Sequence, residues 1–189
     1  ALTMSAAEYR LAKTALNQLR TRAWQRAGTP MPWMTLSRDC CTPTRRCLSG
    51  KSGMTWEKFW SIIDRVRAQA DMQDEASVKQ FLYTELINLP QDELLGFDCA
   101  WQSYRNQANF PKMVAAACII NDGSSDDRFT DFRNWLIMQG YDAYRQALID
   151  PDNLAALNIP FRDTEWMGCG NVAWYAYAGQ KLRAYFEKE

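Results

Sequence analysis

From Thr55 onward, apolar side chains recur three and four positions apart and nowhere alternate, so this part of the chain has a pattern for helices and none for strands. Thr55 caps a first segment in which Trp56, Phe59, Trp60, Ile63 and Val66 share an aromatic face. A second helix is expected from about Asp74 to Asn88 on Val78, Phe81, Leu82, Glu85 and Leu89, with Pro90 ending it. A third, about Gln91 to Ala108, uses Leu94, Phe97, Trp101 and Tyr104, and a fourth runs from Pro111 to a stop at Gly123. The fifth is the best punctuated: Ser124 or Ser125 as cap, Asp126 and Asp127 in the first turn, Phe129, Phe132 and Leu136 as inward stripe, and Gly140 after its end. A sixth covers about Tyr141 to Ile149 and is closed by Asp150-Pro151, with a short turn at Leu154 to Leu157. Asn158 to Gly170 reads as loop, and a last helix, about Asn171 to Glu187, carries Val172, Tyr175, Gly179, Leu182 and Phe186. The expected fold class is all-α, an irregular bundle of about six or seven helices.

The 189 residues balance 22 basic against 22 acidic side chains, yet the charge is unevenly placed. Before Met54 stand nine basic residues (Arg10, Lys13, Arg20, Arg22, Arg26, Arg38, Arg45, Arg46 and Lys51) against Glu8 and Asp39, a net +7. The remainder holds 13 basic and 20 acidic residues, a net −7. Composition breaks at the same place: Gly28 to Gly53 carries prolines, glycines and no apolar period, so it reads as an irregular linker. Residues 5 to 27 have a capping box at Ser5 to Glu8 and place Ala12, Leu16, Leu19 and Ala23 on one helical face. The expected organisation is therefore a basic extension, 1–53, with a helix over about 5–27, and an acidic helical domain, 54–189.

Three accounts of the extension stay open: a basic arm for phosphate-bearing partners, a solvated helix on a linker, and a segment upstream of a natural start at Met54. Any nucleic-acid contact is expected only through residues 1–53, because a domain of net −7 repels phosphate.

With no histidine in the chain, Ser-His-Asp hydrolysis, Cys-His proteolysis and HExxH zinc chemistry drop out together. The longest wholly apolar run, Met113 to Ile120, is far shorter than the roughly 20 residues of a bilayer span, and no secretion leader is evident; a cytoplasmic protein without membrane contact is expected. Cys40, Cys41 and Cys47 have CCx5C spacing and Cys99, Cys118 and Cys169 stand singly, so free thiols are expected and Cys118 reads as a small buried hydrophobe. Gly50-Lys51-Ser52-Gly53 contains the GKS of a phosphate loop, but Arg45 occupies the earlier glycine position and no strand precedes it.

The stretch Gly123-Ser-Ser-Asp-Asp-Arg-Phe129-Thr-Asp-Phe132-Arg133-Asn-Trp135-Leu-Ile-Met-Gln139-Gly140, followed by Tyr144, Ala147-Leu148 and Asp150-Pro151-Asp152-Asn153-Leu154-Ala155, resembles the signature of the bacterial domain-of-unknown-function family 4240. Phe59-Trp60-Ser-Ile-Ile63-Asp64-Arg-Val-Arg67 resembles its opening, so the likeness spans about Met54 to Leu157 and is weak over Asn158 to Glu189. The resemblance implies a helical bacterial domain, brings no established reaction, and supplies no catalytic residue.

Within that signature, Asp122, Asp126, Asp127 and Asp131 form an acidic group that could bind a divalent ion or divide acid and base roles. At about 100° per residue, Asp127 and Asp131 fall opposite the Phe129, Phe132 and Leu136 stripe and are expected to face water, while Asp126 and Arg133 flank it. The plain account of Asp126 and Asp127 is favourable charge at a helix N-terminus. Arg133 beside aromatic residues needs a carboxylate or carbonyls if buried. Trp135, Gln139 and Arg128 are expected at the edge of the stripe, where an aromatic ring and an amide could meet a partner. Gly168-Cys169-Gly170 before the last helix could offer backbone donors to an anion, or serve simply as a helix entry. Taken together, the candidate interaction residues are Asp126, Asp127, Arg128, Arg133, Trp135 and Gln139. No cofactor is expected. The expected role is a protein-binding or regulatory module, immunity-like roles included, with a basic partner. The alternative is a divalent-metal hydrolase using Asp126, Asp127 and Asp131.

Overall fold

A computed structural model describes residues 54–157, 159 and 164–186. The basic extension, including the helix expected over 5–27, the GKS loop and the question of a start at Met54, lies outside the described residues. Those described form seven α-helices, two 3-10 turns and no strand. The helices are α1 (Trp56–Gln69), α2 (Glu75–Ile87), α3 (Gln91–Gln107), α4 (Pro111–Asn121), α5 (Asp126–Met138), α6 (Tyr141–Ile149) and α7 (Val172–Phe186). The all-α bundle is thus the observed class.

The boundaries follow local chemistry. Thr55, Asp74 and Ser125 accept backbone N–H bonds at the starts of α1, α2 and α5, satisfying donors that the first helical turn leaves free. Pro111 sits in the first turn of α4, where its missing N–H costs nothing. α4 ends on Asp122 in the left-handed region, with φ 56°, followed by Gly123 at φ 108°. Gly140 at φ 89° turns the chain from α5 into α6, and a Cβ there would meet the Arg67 guanidinium, so glycine answers both to the backbone angle and to the close approach.

The centre is aromatic. Phe59 of α1 is fully buried and stacks on Phe97 of α3 at 4.8 Å, with Trp60, Trp101 and Tyr104 packed around it. Trp60 Nε1 donates to Tyr104 Oη at 2.9 Å, and the Tyr144 hydroxyl donates to the Tyr104 carbonyl at 2.7 Å, so the polar tips of the cluster find partners inside it. Burial pushes the Tyr104 hydroxyl far above its ordinary pKa, which keeps it neutral at any physiological pH. α7 lies along α2 and α3. Its Gln180 amide donates to the carbonyls of Ile87 and Leu89 at 2.9 and 2.7 Å, satisfying acceptors that the end of α2 leaves free.

Two expectations need correction. The 158–170 segment is more than loop: Cys169–Asn171 forms a 3-10 turn, and Thr164, Trp166 and Cys169 are buried in the core. On α7 the exception is Tyr175, expected inward but 47% exposed, while Val172 is buried as expected and Trp174, Ala173, Ala176 and Ala178 are buried beside it. Gly179, on the expected face, marks the close approach to α2: a Cβ there would lie 2.6 Å from the Tyr83 hydroxyl.

Candidate functional site

α5 is the helix on which the family signature is written, and most of it is buried. From Phe132 to Met138 every side chain is buried, which takes Trp135, expected at an accessible edge, out of reach of any partner at 4% exposure. Gln139 is half-buried and turns its amide back to the Trp135 carbonyl at 3.2 Å. Arg133 is buried and held without a carboxylate. It donates through Nε to the Phe129 carbonyl, through one terminal nitrogen to the Arg105 carbonyl and through the other to the Thr130 hydroxyl, with its guanidinium 4.4 Å from the centre of the Phe129 ring. Desolvation, aided by the nearby Arg105 charge, lowers its pKa. Those contacts tie α3 to α5, a structural task that occupies all three nitrogens.

Asn134, not singled out by sequence, is the polar junction of this region. Its Oδ1 accepts from Trp101 Nε1 at 3.0 Å and its Nδ2 donates to the Trp166 carbonyl at 3.4 Å, joining α3, α5 and the 164–168 segment. Gly170 packs so closely that a Cβ would sit 3.0 Å from Asn134 Oδ1. The Gly168 N–H, one of the donors considered for an anion, already donates to Glu75 Oε1 at 2.7 Å. Cys169 is buried and its thiol is pushed far up in pKa by desolvation, then by Glu75, which leaves no thiolate for chemistry.

The acidic group does not assemble. Among the described residues no three His, Cys, Asp or Glu side chains are placed to hold a metal ion. Asp126 and Asp127 are exposed in the first turn of α5. Asp131 is half-buried, against the expectation that it faces water, and burial, then Glu75, Glu165 and Asp127, raise its pKa while Arg105 opposes. Arg128 pairs with Glu165 at 2.6 Å and reaches the Asn121 carbonyl. The six candidates therefore separate into a buried pair of structural residues, Arg133 and Trp135, an internally bonded Gln139, an ion-paired Arg128, and two exposed carboxylates.

A raised Asp131 pKa has a defined consequence. The native carboxyl binds its proton more tightly than the unfolded one, so the ionised form weakens the fold above the native pKa, and this penalty disappears below the unfolded value of about 3.9. Asp131→Asn is expected to melt at a higher temperature than wild type at pH 7, with the two curves converging near pH 3.5. Thermal scans across that range check it, and a lower melting temperature for the variant at pH 7 would contradict it.

The accessible chemistry lies next door, on α4. Its sequence is apolar on nearly every side, so packing alone decides which face is covered. Met113, Ala117 and Asn121 point inward, whereas Val114 and Ala115 are exposed, Cys118 is half-exposed, and Ile119 is 78% exposed. Cys118 is accordingly not the buried hydrophobe expected. α4 packs mainly against α5 and the Pro151–Ala156 turn, at the margin of the bundle. Exposed Asp122 follows its last residue and Asp126 and Asp127 open the next helix, while the exposed Lys112 shares the face of Ile119, so the uncovered apolar stripe carries a cation at one end and a carboxylate just past the other.

This arrangement defines the molecule as a helical domain with a fully packed centre and a marginal apolar helix. A family model described as a protein of unknown function (DUF4240) matches residues 54–180, well over half of the chain, and the chain belongs to that family. The match runs beyond Leu157 into α7, so the likeness covers more of the C-terminal part than the signature residues alone indicate. No curated protein and no solved structure matches the chain.

Proposed function

We propose that this domain acts in the bacterial cytoplasm as a protein-binding or regulatory module, not as a catalyst, and that its partner is basic. The observation that supports this reading is the exposed stripe of Val114, Ala115, Cys118 and Ile119 on α4, in a part of the chain, 54–189, whose net charge is −7. An exposed apolar helix face on an acidic domain fits a partner of opposite charge: the apolar face contributes affinity and the net charge contributes rate of encounter. No described helix is long and apolar enough to cross a membrane.

The part played by acidic charge is tested by capture from host lysate with full-length wild type and with an Asp126→Asn/Asp127→Asn chain as paired baits. A stoichiometric basic protein, eluted by salt and recovered severalfold less on the variant, supports the reading. Equal recovery on both baits, or a partner indifferent to salt, overturns the part assigned to the carboxylates.

A further inference from the structure

We infer that the exposed face of α4 pairs with the same face of a second copy of this chain, the two helices running antiparallel about a twofold axis. The inference goes beyond the reading above: it shares the stripe with it but names a different occupant, which a basic partner must displace.

Shape comes first. At about 100° per residue, Lys112, Ala115 and Ile119 fall within about 60° of one another, on the side opposite the buried Met113, Ala117 and Asn121. All three are exposed, Ile119 at 78%, and exposed Asp122 follows about one turn beyond Ile119. Successive steps of three, four and three residues are the spacing of a coiled-coil seam. A twofold axis level with residue 117 sets position 115 of one copy against 119 of the other, and 112 against 122. Ile119 of each copy then lies over Ala115 of the other, whose small side chain admits it. Ala116 and Cys118 flank the seam and are small enough to let the helices approach closely.

Charge sets the direction. Lys112 is the one charged residue of α4, and it stands in the first turn, where the helix dipole disfavours a cation. Phe110 gives that end no side-chain cap, and Asp122 puts a carboxylate at the other end, again the sign its own helix disfavours. In the antiparallel pair both mismatches are relieved: Lys112 reaches the C-terminal turn and Asp122 of the second copy, and Asp122 reaches the uncapped first turn and Lys112. Asp122 also acts on Arg128 within its own copy, and a carboxylate has acceptor sites for more than one cation. A parallel pair would set Lys112 against Lys112 and relieve neither end. The whole chain carries no net charge, so net repulsion does not oppose the meeting of two copies. A seam of 11 residues is about 16 Å long, short of a standard interface, which places the pair in the weak class, half-formed on the order of 0.1 mM.

Sedimentation equilibrium of the full-length protein from about 10 µM to about 1 mM tests the pairing. The weight-average mass of wild type is expected to climb from 21.8 kDa toward twice that value, whereas Ile119→Asp stays at 21.8 kDa throughout. Lys112→Glu is expected to weaken association about tenfold, because it sets carboxylates together at both ends of the seam, and Lys112→Glu/Asp122→Lys to restore it to within about threefold of wild type. Each variant is first shown to melt cooperatively. A wild type that stays at 21.8 kDa at the highest concentration overturns the inference. Association that survives Ile119→Asp overturns it by placing the contact on another face, and association indifferent to Lys112→Glu overturns the antiparallel register. Each of these results leaves the partner reading standing, since that reading fails on capture from lysate and not on the mass of the purified chain.

Discussion

Phe59→Ala is expected to cost about 3 to 5 kcal/mol and to lower the melting temperature by roughly 10 to 20 °C. Phe59 is fully buried, stacks on Phe97 and touches Trp60, Trp101 and Tyr104, so its removal opens a void among rings that are themselves held by hydrogen bonds at Trp60 and Tyr104. Rings fixed in this way cannot collapse freely into the space, which puts the cost at the upper part of the usual range for large-to-small changes. Against a total stability of about 5 to 15 kcal/mol for a domain, that is a fifth or more of the fold. Urea denaturation of the full chain measures it, and a loss under about 1.5 kcal/mol would show that the centre repacks.

The second large effect falls on Asn134. Replacement by Leu keeps the approximate volume but leaves Trp101 Nε1 and the Trp166 carbonyl facing an apolar side chain. Each stranded group costs about 1 to 3 kcal/mol, giving an expected loss of roughly 2 to 5 kcal/mol. Asn134→Asp retains an acceptor for Trp101 but supplies no donor to Trp166 and buries a charge, so it also destabilises. A double-mutant cycle separates the polar effect from simple packing: Trp101→Phe should cost less in the Asn134→Leu background than in wild type, because the stranded donor is gone. Strict additivity would mean that the hydrogen bond contributes nothing.

These two residues mark where the sequence is informative and where it is not. Phe59 stands in a helical face whose three- and four-residue spacing gives its burial directly, and the caps at Thr55, Asp74 and Ser125 and the turn at Gly140 are likewise local features with local signals. Asn134 carries no such signal beyond being a polar residue within a run that is otherwise apolar from Phe132 to Met138, apart from Arg133. Its partners, Trp101 and Trp166, are 33 and 32 residues away, and that pairing exists only once three elements meet.

The same limit explains the misplacement of Trp135 and of Cys118. A helical wheel places Trp135 at the edge of the Phe129 stripe, but α5 is covered by neighbours on more than one side, so the edge is buried as well. α4 has the opposite history: its apolar residues are spread around the helix, and composition alone points to a buried element. Its place at the margin of the bundle leaves Val114 and Ile119 outside. Arg133 shows a middle case, because the choice between a carboxylate and carbonyls as partners was visible in the sequence and the fold selects carbonyls.

The central claim is that Ile119 and its neighbours form the surface through which this domain meets a basic partner. The most direct measurement uses two full-length baits in one capture experiment, wild type and an Ile119→Asp chain, each first shown to melt cooperatively. The account predicts one basic protein on wild type whose recovery falls at least tenfold when Ile119 is changed. A basic partner held equally well by the Ile119→Asp chain, or no stoichiometric partner on wild type, would contradict it.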